Sequence, residues 1–141
     1  MDFTEVEFGM PVVSERLKGM FERLAPGADQ FIPVTVAGQQ GPYYILNVLP
    51  VIECVDEERS SFRRFKEDDP VRPDLAGHFD VIEKLVIDER RAGGALLFRV
   101  SRSEGDLVAH ESIKKGFEEI AATGARFVPM GVGVLDKEFW V

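Results

Sequence analysis

An internal repeat constrains the fold of this chain more than any other feature of its sequence. Segment 9–36 recurs as segment 105–132, with a constant offset of 96 residues and no gaps. Both copies carry apolar residues at positions i, i+4 and i+7, in the first copy as Leu17, Phe21 and Leu24. This spacing allows one face of an amphipathic helix to be buried. The repeat therefore predicts two copies of one unit, a helix followed by a strand. Ten of the 28 aligned positions are identical, namely Gly9, Val12, Glu15, Lys18, Phe21, Glu22, Ala25, Phe31, Pro33 and Val36 in the first copy and Gly105, Val108, Glu111, Lys114, Phe117, Glu118, Ala121, Phe127, Pro129 and Val132 in the second.

Residue types that begin and end helices bound the predicted helix in each copy. Ser14 can accept hydrogen bonds from N–H groups of the first turn, and the Pro-Gly pair at 26–27 ends the first helix. In the second copy Glu111 or Ser112 begins the helix. Gly124 ends that helix, because glycine adopts the positive φ of a helix C-terminus at little cost. Two helices of about a dozen residues are therefore predicted.

Each predicted helix is followed by an extended segment that contains a proline. The segments are 31–36, with Pro33, and 127–130, with Pro129. Proline has no N–H to donate to a neighbouring strand, so each strand should pair on one side only near its proline, or contain a bulge. Two strands at sheet edges are therefore predicted.

The most apolar part of the chain lies between the two copies and predicts further strands. Residues 43–55 suit one long strand bent near Pro50, and a glycine-rich turn joins it to the preceding strand as a hairpin. Residues 81–87 and 95–100 form two more strands. The tail, 132–141, is apolar enough to pack back on the body of the domain or on another chain.

A charged stretch interrupts these strands. Residues 56–80, here called the acidic insert, contain runs of carboxylates and two prolines, and we expect them to form exposed loop or short helix rather than core. The remaining elements predict the α+β class, with a mostly antiparallel sheet and two amphipathic helices in the duplicated unit. A length of 141 residues suits one core, so we expect a single domain over 1–141.

The composition predicts a soluble protein of a reducing compartment. No stretch approaches the roughly 20 apolar residues that a membrane helix needs. Residues 1–5 hold two carboxylates and no basic residue, which does not suit a secretory signal peptide. Cys54 is the single cysteine, so an internal disulfide is excluded. We therefore expect a cytoplasmic location and no membrane partner.

The net charge of −8 comes from 25 Asp and Glu against 17 Lys and Arg. Such a surface repels the phosphate backbone of nucleic acids and attracts a basic protein. Acidity also keeps proteins soluble, and that reading stays open beside the first. We predict no nucleic-acid partner and place the contacts with a protein partner on the acidic insert. The candidate contact residues are Asp56, Glu57, Glu58, Glu67, Asp68 and Asp69.

Catalytic and metal-binding chemistry finds little support in the sequence. A nucleophile hypothesis would pair Cys54 with His78 or His110, since an imidazole can take the proton of a thiol. Cys54, however, lies in an apolar strand, where a small buried side chain is the common case. The two histidines are 32 residues apart and do not have the spacing of zinc ligands. The sequence predicts no catalytic residue, no metal and no cofactor.

Motifs spread over most of the chain resemble a known family. They are the capped helix start at 11–17, the strands at 31–34 and 44–48, Val55-Asp56 with Ser60, the segments 85–88 and 97–99, and the Gly-Ala-Arg-Phe-Val-Pro motif at 124–129. In their order and spacing, from about residue 10 to 130, they resemble immunity protein family eleven of bacterial polymorphic-toxin systems, formerly a domain of unknown function.

The resemblance implies a protein that is encoded beside a toxin, binds that toxin in the cytoplasm of the producing cell and blocks it. It supplies no catalytic residue. Two alternatives stay open on the residues alone. One is a small-molecule-binding or hydrolytic enzyme domain that uses Cys54 with a histidine. The other is a generic dimerisation module, and Phe139 and Trp140 near the C-terminus are consistent with a homodimer.

Overall fold

The structure, a computed structural model, describes residues 1–6, 10–68, 70–125, 127 and 139–140. Within these residues the chain forms strands, three α-helices and a short 3₁₀ turn at Pro73–Leu75. The strands are β1 (Phe3–Val6), β2 (Met10–Ser14), β3 (Asp29–Val34), β4 (Tyr43–Val48), β5 (Val51–Ile52), β6 (Ser61–Arg64), β7 (Phe79–Lys84), β8 (Leu97–Val100), β9 (Ser103–His110) and β10 (Phe139–Trp140). The helices are α1 (Glu15–Leu24), α2 (Glu89–Ala92) and α3 (Glu111–Glu119).

The strands form three sheets, and most of their pairs are antiparallel. The first sheet has the order β1-β2-β4-β3, the second has the order β10-β9-β8-β5, and β6 and β7 form a two-stranded sheet. Among the described pairs of strands, β5 and β8 alone are parallel. The predicted α+β class with a mostly antiparallel sheet is confirmed.

Helix α1 begins and ends where the sequence predicts. The Ser14 side chain accepts a hydrogen bond from the Leu17 N–H at 3.2 Å and so caps the first turn. The helix ends at Leu24, just before the Pro-Gly pair at 26–27. Leu17 and Phe21 are four residues apart and so lie on one face of the helix, and both are buried.

Helix α3 repeats α1, and it differs from the prediction at its end. It begins at Glu111, one of the two predicted first residues and 96 residues after the first residue of α1, as the repeat requires. His110 caps the first turn, because its Nδ1 accepts from the Ser112 N–H at 3.1 Å. The helix ends at Glu119 and not at Gly124, because the backbone takes a left-handed conformation two residues after Glu119.

Each copy of the repeat has a strand directly before its helix, which the sequence did not predict. β2 leads directly into α1 and β9 leads directly into α3, and each of these strands has an antiparallel neighbour, β4 and β8 respectively. The two helices pack against each other. Of the predicted strand at 127–130 only Phe127 is described, so that strand and Pro129 lie outside the described residues.

Strand β3 confirms the edge position predicted from Pro33. It pairs antiparallel with β4 and is the last strand on its side of the first sheet. The turn of this hairpin contains Gly41 at a φ of +94°, a conformation that costs glycine little. An edge strand tolerates the missing N–H of proline, because on its open side it has no neighbouring strand to which that N–H would donate.

The apolar stretch 43–55 is divided rather than continuous. β4 ends at Val48, and the chain passes through Leu49 and Pro50 into β5, which belongs to the second sheet. Pro50 cannot donate a ladder hydrogen bond, so the pairing of β4 stops before it. The predicted bend is therefore a crossing from one sheet to the other.

The acidic insert has more regular structure than predicted. It contains β6 and the first residues of β7, which pair with each other. Phe79 is 9% exposed and packs edge-to-face on Phe62, with the ring centroids 5.0 Å apart. The expectation of a loop outside the core is wrong for this hairpin, because both rings pack in a hydrophobic cluster of the core.

The last two predicted strands and the C-terminal tail also have counterparts. The segments 81–87 and 95–100 correspond to β7 and β8, which lie in different sheets and are separated by α2. Of the tail, 132–141, the backbone of Phe139–Trp140 pairs with β9. The tail therefore packs back on the body at these two residues, and its other residues lie outside the described part of the chain.

Two hydrophobic clusters fill the core. The first surrounds the contact of α1 with α3 and includes Leu17, Ile113 and Phe117. The second lies beside β8 and includes Cys54 and Phe98, both fully buried. Complete burial of one such aliphatic or aromatic side chain contributes about 2 kcal/mol, so the clusters are the main stabilising feature of the fold.

Candidate partner-binding site

Contacts at its start hold the acidic insert in a defined position on the domain. The Ser60 hydroxyl donates to the Val86 carbonyl oxygen at 3.0 Å and accepts from the Val86 N–H at 2.9 Å. The guanidinium of Arg64 lies over the rings of Phe62 and Phe79, 5.5 and 4.8 Å from their centroids. Such cation–π contacts and paired hydrogen bonds give the charged residues around them a fixed support.

Two of the predicted contact residues have structural roles inside the insert. The Asp56 carboxylate accepts from the N–H groups of Glu58 and Arg59 at 3.2 and 3.1 Å, and so fixes a turn. Glu57 forms an ion pair with Arg64. A partner would reach these two carboxylates only in competition with groups of the insert itself.

Three other predicted contact residues are open to solvent. Glu58, Glu67 and Asp68 are exposed, while Asp69 lies outside the described residues. The insert as a whole carries eight Asp and Glu against five Lys and Arg, a net charge of −3. Glu57 is exposed too but is paired with Arg64, so Glu58, Glu67 and Asp68, here called the exposed insert carboxylates, are the more accessible of the predicted contact residues.

Cations of the insert are partly neutralised within it. Arg63 and Asp80 form an ion pair with a closest N–O distance of 2.7 Å, and Arg72 pairs with Asp74 at 3.0 Å. The hydrogen bonds from Arg72 hold the pKa of Asp74 below its usual value. Each pair uses one cation and one carboxylate of the insert, so the net charge of −3 remains with the other carboxylates.

Cys54 is not in the state that a nucleophile needs. Its side chain is fully buried, and burial raises the pKa of the thiol to about 11, although a backbone hydrogen bond and Arg91 oppose the rise. A reactive cysteine has a lowered pKa and some exposure. Cys54 therefore acts as a small apolar side chain of the second cluster.

Neither histidine lines the cavity that contains Cys54. This polar cavity, of about 150 Å³, has Glu57 and Arg64 in its wall among the described residues. His110 instead caps α3 through its ring nitrogen. His78 lies before β7, and its Nδ1 is buried without a hydrogen-bond partner among the described residues. The cavity gives no support to the hypothesis that Cys54 and a histidine form a catalytic pair.

The part of the chain that the structure describes has neither a metal-binding cluster nor a membrane-spanning helix. In the described part of the chain, no three His, Cys, Asp or Glu side chains are grouped so that they could hold a metal ion. None of the helices in that part is long and apolar enough to cross a membrane.

A second candidate site is a half-open apolar pocket of about 430 Å³, called here the apolar pocket. Residues of β1, β9, both long helices and the segment after α3 line it. The apolar part of its wall includes Phe3, Phe21, Leu107, Ile113, Phe117 and Phe127. The charged side chains among its described lining residues are two carboxylates, Glu5 and Asp106.

Aromatic rings form a connected group in the wall of this pocket. Phe117 packs edge-to-face on Phe3, Phe21 and Phe127, with ring centroids 6.4, 5.8 and 5.0 Å away. Phe21 and Phe117 occupy equivalent positions in the two copies of the repeat. The repeat therefore contained a signal for this aromatic group, although the sequence did not show that a pocket would form beside it.

Comparison with protein families shows which family the chain belongs to. The sequence model of the immunity protein family (Imm11) matches residues 1–132, which include the acidic insert and the described wall of the apolar pocket. The chain belongs to this family. None of the curated proteins matches the chain. The resemblance read from the motifs is confirmed, and the Imm11 match extends it to the N-terminal residues.

In this Imm11 protein hydrogen bonds hold the N-terminal residues to the start of α1 and to the segment after α3. The Asp2 carboxylate accepts from the Ser14 hydroxyl at 2.8 Å, from Arg16 Nη2 at 2.7 Å and from the Thr123 N–H at 3.1 Å. The Arg16 hydrogen bond holds the pKa of Asp2 well below its usual range. Phe3 donates its N–H to the Thr123 carbonyl oxygen at 3.0 Å. These bonds hold β1, one wall of the apolar pocket, in place.

Proposed function

We propose that this protein is a non-catalytic immunity protein that binds a cognate bacterial toxin in the cytoplasm of the producing cell and thereby neutralises it. The observation that carries the proposal is the Imm11 match over residues 1–132. Neutralisation requires only that the complex be tight and that it cover or distort the working surface of the toxin. Tight binding needs buried anchor residues, and rapid binding needs complementary charge.

Binding rather than catalysis is supported by the state of the candidate nucleophile. The Cys54 thiol is buried with a pKa of about 11, whereas cysteine chemistry at neutral pH uses the thiolate. The imidazole of His110 is engaged at the start of α3. The proposal therefore assigns both residues to the stability of the fold.

The acidic insert supplies the first contacts with the toxin in this proposal. The carboxylates at 56–58 and 67–69 give the insert its negative charge, and the exposed insert carboxylates are the part most accessible to a partner. A basic toxin surface would be steered toward them, and its association rate would rise by about tenfold or more at low salt. Asp56 and Glu57 contribute to the field while they hold the insert in shape.

Expression with the adjacent gene product tests the function. The toxin alone should stop the growth of a host strain, and co-expression of this chain should restore growth. The two purified proteins should form a stoichiometric complex in calorimetry and size-exclusion chromatography. If both proteins are folded and do not associate, the proposed function is wrong.

A charge-reversal variant tests the role of the insert. Glu58→Lys, Glu67→Lys and Asp68→Lys together should lower the association rate about tenfold at low ionic strength, with a smaller effect at high salt. The control reverses three exposed carboxylates outside the insert and its cavity, Glu15, Glu89 and Glu119, and makes the same change in net charge. Equal association rates for the two triple variants would show that the insert has no special role.

A further inference from the structure

We propose that the apolar pocket receives an aromatic side chain of the toxin, and that the carboxylates at its mouth bind a Lys or Arg beside that side chain. This inference rests on the proposed function and names a second contact surface for the same partner. The two surfaces are distinct, because none of the described residues that line the pocket belongs to the acidic insert.

The wall of the pocket favours an aromatic occupant. Its rings already contact one another edge-to-face around Phe117, and the ring of Phe127 is 5.0 Å away from it. An added ring can make the same kind of contact, which contributes about 1 kcal/mol beyond the burial of its area. A volume of about 430 Å³ is in the range of pockets that hold a compact organic group.

The mouth of the pocket favours a cation. Glu5 is exposed, and Asp106 is half-buried with the Ser103 hydroxyl donating to its Oδ2 at 2.6 Å. Neither Lys nor Arg is found among the described residues that line the pocket. Glu104, two residues before Asp106 on β9, is also exposed, although it does not line the pocket. An aromatic side chain that enters the pocket is therefore held best when a basic residue adjoins it.

The same charges disfavour a second copy of this chain as the occupant. The chain has a net charge of −8, so two copies repel each other, and contact at the pocket would bring the acidic mouth of one copy onto an acidic molecule. The acidic mouth attracts a basic toxin and strengthens its binding, whereas it repels a second copy and weakens its binding. The insert would then set the association rate of the toxin complex, and the aromatic side chain buried in the pocket would set its dissociation rate.

Small charged aromatic probes test the pocket without the toxin. In a titration followed by NMR, phenethylammonium should shift the resonances of Leu107, Ile113 and Phe127 with a millimolar affinity. The anion 3-phenylpropionate, of similar size, should bind at least about tenfold more weakly, because the mouth repels it. Absence of shifts with both probes, or equal affinity for the two, would overturn the inference even where the toxin is found to bind.

A variant that fills the pocket tests its role in the complex. Gly105 lines the pocket, has no positive φ, and a Cβ on it would meet nothing within 4 Å, so Gly105→Phe should fold. It should raise the dissociation rate of the toxin complex about 30-fold and change the association rate by less than about threefold. The control is Gly19→Phe, at an exposed site where a Cβ also meets nothing.

The outcomes separate the two proposals. If the unaltered protein does not bind the toxin, the proposed function fails, and the probe titration still decides on the pocket. If it binds and Gly105→Phe dissociates at the rate of Gly19→Phe, with both variants folded by circular dichroism, the pocket is not the contact surface. A dimer in sedimentation that Gly105→Phe disrupts would assign the pocket to a second copy and overturn the inference.

Discussion

Asp2 and Arg16 form a salt bridge in which Oδ2 and Nη2 lie 2.7 Å apart. The aspartate is 8% exposed and has additional donors in Ser14 and Thr123. Because Thr123 follows α3 and Ser14 precedes α1, one carboxylate connects the N-terminus with both copies of the repeat. Its hydrogen bond with the Thr123 N–H therefore links parts of the chain that are 121 residues apart, whereas the salt bridge with Arg16 spans 14 residues.

Replacement of Asp2 should show the value of this network. Asp2→Asn should lower the free energy of unfolding at pH 7 by about 2 kcal/mol, since hydrogen bonds to a charged group are lost. Folding lowers the pKa of Asp2 below its ordinary value of 3.8. The ionised carboxylate therefore stabilises the folded protein fully above pH 3.8, and this stabilisation is lost as the pH falls toward the lowered pKa. Urea unfolding at pH 7 and pH 3 should show a smaller difference at pH 3. Asp68→Asn, at an exposed site, is the control.

Replacement of Gly124 should test the close approach of β1 to the segment after α3. Gly124 has a φ of +94°, and a Cβ there would overlap the carbonyl oxygen of Phe3. Gly124→Ala should destabilise the protein by at least about 3 kcal/mol. Gly41 has the same φ of +94° but open space around its Cβ position, so Gly41→Ala should cost only about 1 kcal/mol. Equal melting temperatures for the two variants would contradict the predicted contact.

Replacement of Gly116 should test the packing of α1 on α3. A Cβ on Gly116 would lie 2.5 Å from Leu24 Cδ1 and 2.8 Å from Met20 Sδ. Gly116→Val should therefore destabilise the protein by about 2 kcal/mol through overpacking. Gly19→Val places the same residue in α1 where nothing lies within 4 Å, and it should be neutral to within about 0.5 kcal/mol. Urea unfolding of the two variants decides the point, and a neutral Gly116→Val would show that the helices separate easily.

The stability of the protein should fall as Asp29 ionises. Burial, with a smaller effect of Glu22, raises the pKa of Asp29 from 3.8 to about 6, and its Oδ2 has no hydrogen-bond partner among the described residues. The charged form is therefore disfavoured in the folded state, so stability declines between pH 3.8 and about 6 and is constant above. The shift sets a limit of about 3 kcal/mol, which solvent screening at this partly exposed site reduces to about 1 kcal/mol. Asp29→Asn should abolish the decline in urea unfolding between pH 4.5 and 7.5, and an unchanged decline would exclude Asp29 as its cause.

The Cys54 thiol should resist modification in the folded protein. With a pKa of about 11, its thiolate fraction at pH 8 is roughly two orders of magnitude below that of an ordinary cysteine, and burial also blocks access. Reaction with a disulfide reagent should be slow in buffer and fast in urea. A variant with Cys54→Ser and Ser61→Cys, which moves the thiol to an exposed site, should react rapidly in both conditions. Rapid reaction of the unaltered protein would revive the nucleophile hypothesis.

Local signals in the sequence predicted the elements around the repeat. Ser14 and the Pro-Gly pair at 26–27 bound α1, and Pro33 marks the edge strand. Each of these signals acts over a few residues, through a cap, a missing N–H or a glycine turn. Acidity and motif order likewise pointed to a partner-binding immunity protein, and the family part of that prediction is confirmed.

Long-range contacts decided what those signals left open. Whether the strands before and after Pro50 share a sheet depends on which distant strands they meet, and β4 pairs with β3 while β5 pairs with β8. In the strand pair β6–β7, Phe62 and Phe79 pack on each other and on a hydrophobic cluster, and burial of their apolar surface stabilises this pair. The alternation of polar and apolar residues along the chain predicts neither the division of β4 and β5 between two sheets nor the pairing of β6 with β7.

The sequence by itself determined the repeated helices, the edge strand, the acidic insert and the family of this protein, since each depends on residue types at short or constant spacing. Only the tertiary structure decided that Asp56 and Glu57 are engaged internally, that Glu58, Glu67 and Asp68 are exposed, and that an apolar pocket exists. The physical reason is distance along the chain. The pocket is a space between side chains from residue 3 to residue 127, and no local pattern specifies the space that such distant side chains leave between them.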